Sequence, residues 1–388
     1  MRNLRVGVRL SGRALAVLIA AGATLAVSTA MSEAAGYPLP VKTTTGLNYD
    51  MPDPGVLLSG STFYGFFTGG GLRESTSGTA AGPWPAPVNE LRMSTLPSWV
   101  QASKGIWAPD MIKTTSGEYV VYFSAALPGT AGHPAGNDAK PASGARCVGT
   151  AESKSPTGPF SADRKPLVCL ENYGAADDMK ADPGNRVRGE GVVDASPAIV
   201  TIAGHPELFL LYKTQGNPAD GQIATIRMVR LNDADGTSVL GESHQLLRSS
   251  VGSFADTIEA PSLIQDGSYF TLFVAHGNFD SCGYSTQWFR SQHIWAWTNG
   301  GASTLLSAGN TGLCGPGGAD VSVSRVPGQD RIFFHGWVKE SKGVISTVPL
   351  PSNVAPDEGV NAARVMYAAV LTFTRSGAPV LGPYQGQS

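Results

Sequence analysis

Charge is scarce in this sequence. Only 15 % of the 388 residues are Asp, Glu, Lys or Arg, against about a quarter in an ordinary soluble domain. The 28 basic and 30 acidic residues nearly cancel, so there is no excess of positive charge to condense on nucleic acid. So little Lys and Glu also argues against a helical bundle or coiled coil, whose outer faces need them. There are only four cysteines and no C-x-x-C pair among them, which leaves a thiolate zinc site without its usual spacing. Beyond the first thirty residues no uncharged apolar run is long enough to span a bilayer. A G-x-S-x-G nucleophile turn is absent. Gly69-Gly70-Gly71 is followed by no helical pattern, so it is no phosphate cradle. Asn232-Asp233-Ala234-Asp235-Gly236 lacks the closing Glu of a calcium loop and reads as a turn.

What is plentiful is glycine, 48 residues, within a chain that is 42 % apolar. That composition can bury a core and bends often, and it reads as all-β and rich in turns. The N-terminus stands apart. Arg2, Arg5, Arg9 and Arg13 precede an uncharged stretch from Ala14 to Val27, followed by small residues through Ala35. Fourteen apolar residues are too few for a membrane span and suit an export signal. Residues 1–35 are therefore expected to be a signal peptide, leaving 24 basic against 29 acidic residues in a secreted or periplasmic chain. In an oxidising compartment the four cysteines should form two disulfides, and proximity favours Cys147–Cys169 and Cys282–Cys314.

Five segments share one order: a polar lead, a short apolar strand, a turn, then an aromatic-rich strand. They begin at Asp53-Pro54-Gly55-Val56, Ala108-Pro109-Asp110-Met111, Ser196-Pro197-Ala198-Ile199, Ala260-Pro261-Ser262-Leu263 and, without proline, Ala319-Asp320-Val321. The partner strands include Thr62–Thr68, Glu118–Phe123, Glu207–Tyr212, Ser268–Phe273 and Arg331–His335. Each unit is a hairpin that cannot bury both of its faces alone. Five such sheets packed radially can, which predicts a five-bladed β-propeller over residues 36–388, with a β-sandwich as the alternative. The Gly/Pro/Ala-rich stretch 129–144 falls inside the second unit as a surface insertion. The run Arg364–Thr374 is expected to complete the last sheet.

In a propeller the innermost strands face one another across the axis, so residues at their entries converge however far apart in sequence. Asp53, Asp194 and Glu259 all sit just ahead of an inner strand. Three acids in one narrow channel are electrostatically costly. Paired carboxyls are also what hydrolysis of a glycosidic bond requires, one protonated to release the leaving group and one ionised to drive attack. A third can raise the acid's pKa by like-charge repulsion.

These residues, together with the strings Trp107-Ala108-Pro109-Asp110, Val193-Asp194-Ala195-Ser196-Pro197 and Ile258-Glu259-Ala260-Pro261, resemble family 43 of the glycoside hydrolases. The likeness runs from about Asp53 to Gly382. It implies a five-bladed propeller that hydrolyses arabinose- or xylose-containing polysaccharides with inversion. Asp53 would be the general base, Glu259 the general acid, and Asp194 the residue that orients the acid and raises its pKa. Arg364 resembles the family's late arginine at the sugar hydroxyls. The chain departs from the pattern at Gly317-Gly318, where a Gly-His pair often helps to hold an axial calcium. A structural calcium is thus an open expectation, with Asp320 as the substitute ligand, and the chemistry itself calls for no cofactor. Ser196-Pro197 likewise stands where Asp-Pro is more frequent.

Trp107, ahead of the second inner strand, is placed either to stack on a sugar or to plug the core. Trp84, Tyr284, Trp288, Trp295 and Trp297 are candidates for the groove or for blade packing. His335 is taken as a substrate-binding candidate, with a packed structural role beside it. The expected partner is a polysaccharide or oligosaccharide, with neither nucleic acid nor membrane, and the protein is expected to act as a monomer. Two rival readings accompany this one: a carbohydrate-binding propeller without turnover, and a retaining hydrolase of the β-fructosidase type.

Overall fold

The computed structural model describes residues 50–88, 96–128, 146–169, 176–177, 191–214, 223–251, 253–322, 330–341, 344–346 and 362–382. The chain divides into two compact units, Met1–Glu33 and Ala34–Ser388. The first, which holds most of the expected signal peptide, lies outside the described residues, as does the 129–144 insertion.

The second unit is a five-bladed β-propeller. Its antiparallel sheets start on the inner strands Gly55–Ser59, Ile106–Lys113, Val192–Ile202, Ile258–Asp266 and Cys314–Ser322. The middle strands are Thr62–Phe67, Tyr119–Ala126, His205–Thr214, Tyr269–His276 and Asp330–Ser341. Each inner strand packs beside that of the next blade, and the fifth returns to the first, so the ring closes. The run expected to complete the last sheet is its third strand, Ala362–Phe373, with Pro379–Gly382 outside it.

The middle strands are apolar along nearly their whole length because neighbouring blades cover both faces; all eight residues of Tyr119–Ala126 are buried. Five apolar clusters fill the five gaps between blades. Blades one and two share Phe66 and Phe123; blades two and three share Tyr122 and Leu210. Blades three and four share Leu211 and Leu272, blades four and five Phe273 and Val365, and blades five and one Phe333 and Trp84. Fully burying a side chain of this size contributes about 1.5–3 kcal/mol, so the closed ring distributes its stability over five equivalent seams. The seam between blades five and one is also latched by backbone, Met51 N–H donating to the Arg364 carbonyl at 2.7 Å.

Both expected disulfides form, Cys147–Cys169 within blade two and Cys282–Cys314 between blades four and five. Among the described residues no helix is long and apolar enough to cross a membrane.

The structure corrects the register of the repeat. Residues with a left-handed backbone, rare outside glycine, occur at Asp53, Ala108, Asp194, Ala260 and Gly318, with φ between 40° and 59°. In blades two to five each lies in a register shift of the inner strand. These five positions are the true equivalents. Pro54, Pro109 and Pro261 follow directly, but in blade three the follower is Ala195, so aligning on Pro197 displaces that copy by two residues. Asp53 and Asp194 therefore occupy the same position in their blades, and Glu259 lies one residue earlier.

Candidate active site

The left-handed residues turn the inner strands at the mouth of the channel. The residue one before each pairs through the backbone with a residue on the middle strand or just past its end: Pro52 with Thr68 through the Thr68 N–H, then Trp107 with Ser124, Val193 with Lys213, Glu259 with Ala275, and Gly317 with His335. This gives a second ring, Thr68, Ser124, Lys213, Ala275 and His335, that the sequence reading missed. Its members reach to the following blade. Thr68 Oγ1 accepts the Ala108 N–H at 2.7 Å, Ser124 Oγ that of Asp194 at 3.1 Å, and His335 Nδ1 that of Asp53 at 3.1 Å. The ring thereby satisfies backbone donors that the strand irregularities remove from the ladder.

Asp53, Asp194 and Glu259 line one cavity of about 670 Å³. Burial raises the Asp53 carboxyl, but the Arg364 charge and the Thr68 hydroxyl outweigh it, and Asp53 ends below the usual carboxylate range. The Arg364 guanidinium stands 3.4 Å from its Oδ1. Asp194 goes the other way. Burial first, then the charge of Glu259, pushes it up to about 7 against the opposing pull of Lys213. Glu259 is held by both oxygens: Lys213 Nζ is 2.7 Å from Oε2, and the Tyr284 hydroxyl donates to Oε1 at 2.7 Å. The cavity thus presents one carboxyl that favours the ionised form and, in the same lining, two neighbouring carboxyls, one of which keeps its proton near neutrality.

The remaining wall is aromatic. Trp107 is 38 % exposed and borders the cavity, with the Arg146 guanidinium stacked 3.2 Å above its ring. Arg364 also borders it, between Phe279 and Trp337. Of the other candidate aromatics only Tyr284 lines this cavity. Trp84 is core, Trp288 and Trp297 pack against clusters, and Trp295 sits on Phe209 and His244.

His335 does not face the substrate space. It is fully buried behind Asp53, and burial pushes its imidazole down to about 3, so it is neutral and accepts through Nδ1. Its ring is nearly parallel to that of Tyr284, with centroids 5.8 Å apart. This pair explains the departure at Gly317-Gly318. A Cβ on Gly317 would strike the Tyr284 ring, and one on Gly318 would strike His335 at 2.6 Å and Asp53 Oδ1 at 3.2 Å.

Below the mouth the left-handed residues and their followers enclose an axial cavity of about 30 Å³, bordered by Asp110 and Asp320. The axis does not fit a calcium ion, which takes six to eight oxygens. Asp320, the expected substitute ligand, is committed: Oδ2 accepts the Val56 N–H at 2.8 Å and Oδ1 the Ser262 hydroxyl at 3.2 Å. Asp110 accepts from the Met111 N–H and from Ser196. Burial raises both acids, Asp320 to about 6. Among the described residues no three His, Cys, Asp or Glu side chains cluster as metal ligands. The two acids are rivets between blades, not a cation cage.

Solved structures share this architecture. A thermostable family-43 glycoside hydrolase superposes with a TM-score of 0.62 at 19 % identity, covering 91 % of this chain and 98 % of that one. The Cellvibrio cellulosa α-L-arabinanase complexed with arabinohexaose gives 0.57 at 19 %, covering 86 % and 95 %. An endo-1,4-β-xylanase from Bacteroides thetaiotaomicron VPI-5482 gives 0.57 at 17 %, covering 88 % and 97 %. No curated protein matches the sequence. The family model for glycosyl hydrolases family 43 matches residues 45–347, which span blades one to four and the inner and middle strands of blade five. The chain belongs to glycosyl hydrolase family 43.

Proposed function

We propose that this protein is a secreted hydrolase of arabinose- or xylose-containing polysaccharides that works with inversion at the anomeric carbon. The observation that carries the reading is the opposition within one cavity of Asp53, driven below the carboxylate range, and the coupled pair of Asp194 and Glu259, of which Asp194 is raised to about 7. An inverting glycosidase needs an ionised carboxylate to activate water and a protonated one to release the leaving group.

In this reading Asp53 takes the proton of the attacking water, and the Arg364 guanidinium keeps it ionised. Glu259 donates to the departing oxygen. Asp194, whose Oδ2 accepts the Ala260 N–H at 3.0 Å, shares one proton with Glu259 as a pair of neighbouring carboxyls and orients the turn that carries Glu259. Trp107 and Arg364 contact the sugar, one by stacking and one through hydroxyl oxygens. Phe279 and Trp337 add apolar wall. The similarity to an arabinanase and to a xylanase supports a pentose polymer, and the N-terminal pattern with two disulfides supports export.

The test is a screen of dye-linked arabinan and arabinoxylan beside aryl pentosides, with the product anomer followed by proton NMR. Release of the inverted anomer, lost in both Asp53→Asn and Glu259→Gln, is the expected result. Binding without turnover would leave a carbohydrate-binding propeller; retention of configuration would favour the β-fructosidase-like alternative.

A further inference from the structure

The second ring singles out one of its members. In blades one, two and five the middle-strand residue at this level is Thr68, Ser124 or His335, and each offers an acceptor to the N–H of the next blade's left-handed residue. In blade three the equivalent residue is Lys213, which has three donors and no acceptor. Its Nζ goes instead to Glu259 Oε2. The Ala260 N–H, which a serine at 213 would have satisfied, is taken by Asp194 Oδ2. One substitution in a structural ring thus links both acids: the cation rests on Glu259, and the donor it leaves free rests on Asp194. The Lys213 side chain is only 4 % exposed, and burying an ammonium costs several kcal/mol unless its partner compensates. A serine would keep the ring intact without that cost.

We propose that Lys213 is a positioning residue of the acid pair, its ammonium fixing the Glu259 carboxyl and coupling it to Asp194, so that proton donation to the leaving group depends on this lysine. The proposal rests on the reading of Glu259 as the acid. The groups facing the pair are Lys213 from blade three, Tyr284 on its own blade, Arg146 from blade two beside Asp194, and Asp53 with Arg364 and His335 from blades one and five. Of these only Lys213 places a cation on a Glu259 oxygen at hydrogen-bond distance among the described residues.

The experiment compares Lys213→Ser, Lys213→Met and Lys213→Arg in the full chain, reading kcat and KM against pH on an aryl pentoside and on polysaccharide. Circular dichroism serves as the fold control. Serine restores the acceptor of the ring without the charge, methionine keeps the volume, and arginine keeps the charge. The kcat of the serine and methionine variants on polysaccharide, whose leaving group needs the proton, should fall at least about tenfold with KM little changed, while the activated aryl pentoside keeps more of its rate. Arginine should keep most of the wild-type kcat. Wild-type kcat on polysaccharide in folded Lys213→Ser and Lys213→Met, with Glu259→Gln still inactive, overturns the role of Lys213 and spares the assignment of the acid. Loss of fold in both neutral variants but not in Lys213→Arg also overturns it, since the lysine then serves the fold. Wild-type turnover of polysaccharide by Glu259→Gln overturns the assignment beneath it.

Discussion

Replacing Asp194 by asparagine should change how stability responds to pH before any substrate is added. Asp194 starts from an ordinary carboxyl value of 3.8 in the unfolded chain and rises to about 7 in the fold, through burial first and the neighbouring Glu259 second. The folded state therefore binds this proton more tightly than the unfolded state does. The stabilisation is complete below about pH 4 and is lost as pH climbs toward 7. Each pKa unit corresponds to 1.36 kcal/mol, so the swing is about 4 kcal/mol. For a chain of 388 residues with ~2.1 cal/mol/K per residue of unfolding entropy, that is about 5 °C in Tm. Asparagine keeps an oxygen for the Ala260 N–H but has no proton to lose. Differential scanning calorimetry of both proteins at pH 5 and pH 8 is the measurement. Between pH 5 and pH 8 about two of those units are sampled, about 2.7 kcal/mol, so the wild type should lose about 3 °C more than Asp194→Asn between the two, which leaves the variant relatively more stable at pH 8. Parallel losses would show that Asp194 ionises no differently in the fold, and the electrostatic argument for the acid pair would fall with it.

Other outcomes follow from the same geometry. Arg364→Met removes a cation 3.4 Å from Asp53 Oδ1 and should shift the lower limb of the profile upward, because Asp53 then holds its proton to higher pH; an unmoved lower limb assigns that limb to another group. Gly318→Ala forces a Cβ against His335 and Asp53 at φ +59°. It should cost about 1–3 kcal/mol by chemical denaturation together with most of kcat, whereas Gly312→Ala, also left-handed but with open space around it, should cost stability alone. Removing Cys282–Cys314, which closes 32 residues between blades four and five, should cost about 3–4 kcal/mol and lower activity by loosening the turn that carries Phe279 and Tyr284. Thiol titration of the folded, unreduced protein should find no free cysteine.

Much of this was readable from the chain. Five hairpins with apolar middle strands define a ring because a middle strand such as Tyr119–Ala126 has no polar face to give to solvent. The three acids were found by their place before each inner strand, and both cysteine pairs by proximity. What misled was proline. It marks the residue after the left-handed turn in three blades, but at Ala195 and Ala319 alanine fills that place. Pro197 then lies two residues into the strand, where its fixed φ suits the extended backbone equally well. The left-handed residues themselves carry no side-chain signature, being Asp, Ala, Asp, Ala and Gly. His335 was left between two roles for a related reason: an isolated histidine in an aromatic strand does not reveal whether its ring points to the channel mouth or behind it. The signal for Lys213 was present, a lone charge ending the apolar run Leu208–Tyr212, but its meaning depends on the register of its neighbours.

The ring shows how a symmetric scaffold acquires an asymmetric site. At each inner strand the backbone makes the same left-handed turn, and the fold asks only that its N–H find an acceptor. Thr68, Ser124 and His335 meet that demand from the middle strand, and Ser196, Ser262, Asp110 and Asp320 rivet the blades just below. Chemistry enters where a position is released from these duties. Asp53 and Asp194 use turns at which Ala108 and Ala260 show that a methyl group suffices. Glu259 takes the place filled by Pro52, Trp107, Val193 and Gly317 elsewhere. The opposite electrostatic fates of Asp53 and Asp194 then follow from what stands beside each: a guanidinium for one, a second carboxyl for the other. Identical backbone geometry delivers two carboxyls to one cavity, their surroundings drive them to opposite protonation states, and Glu259, one residue ahead of the second turn, stands beside the carboxyl that keeps its proton.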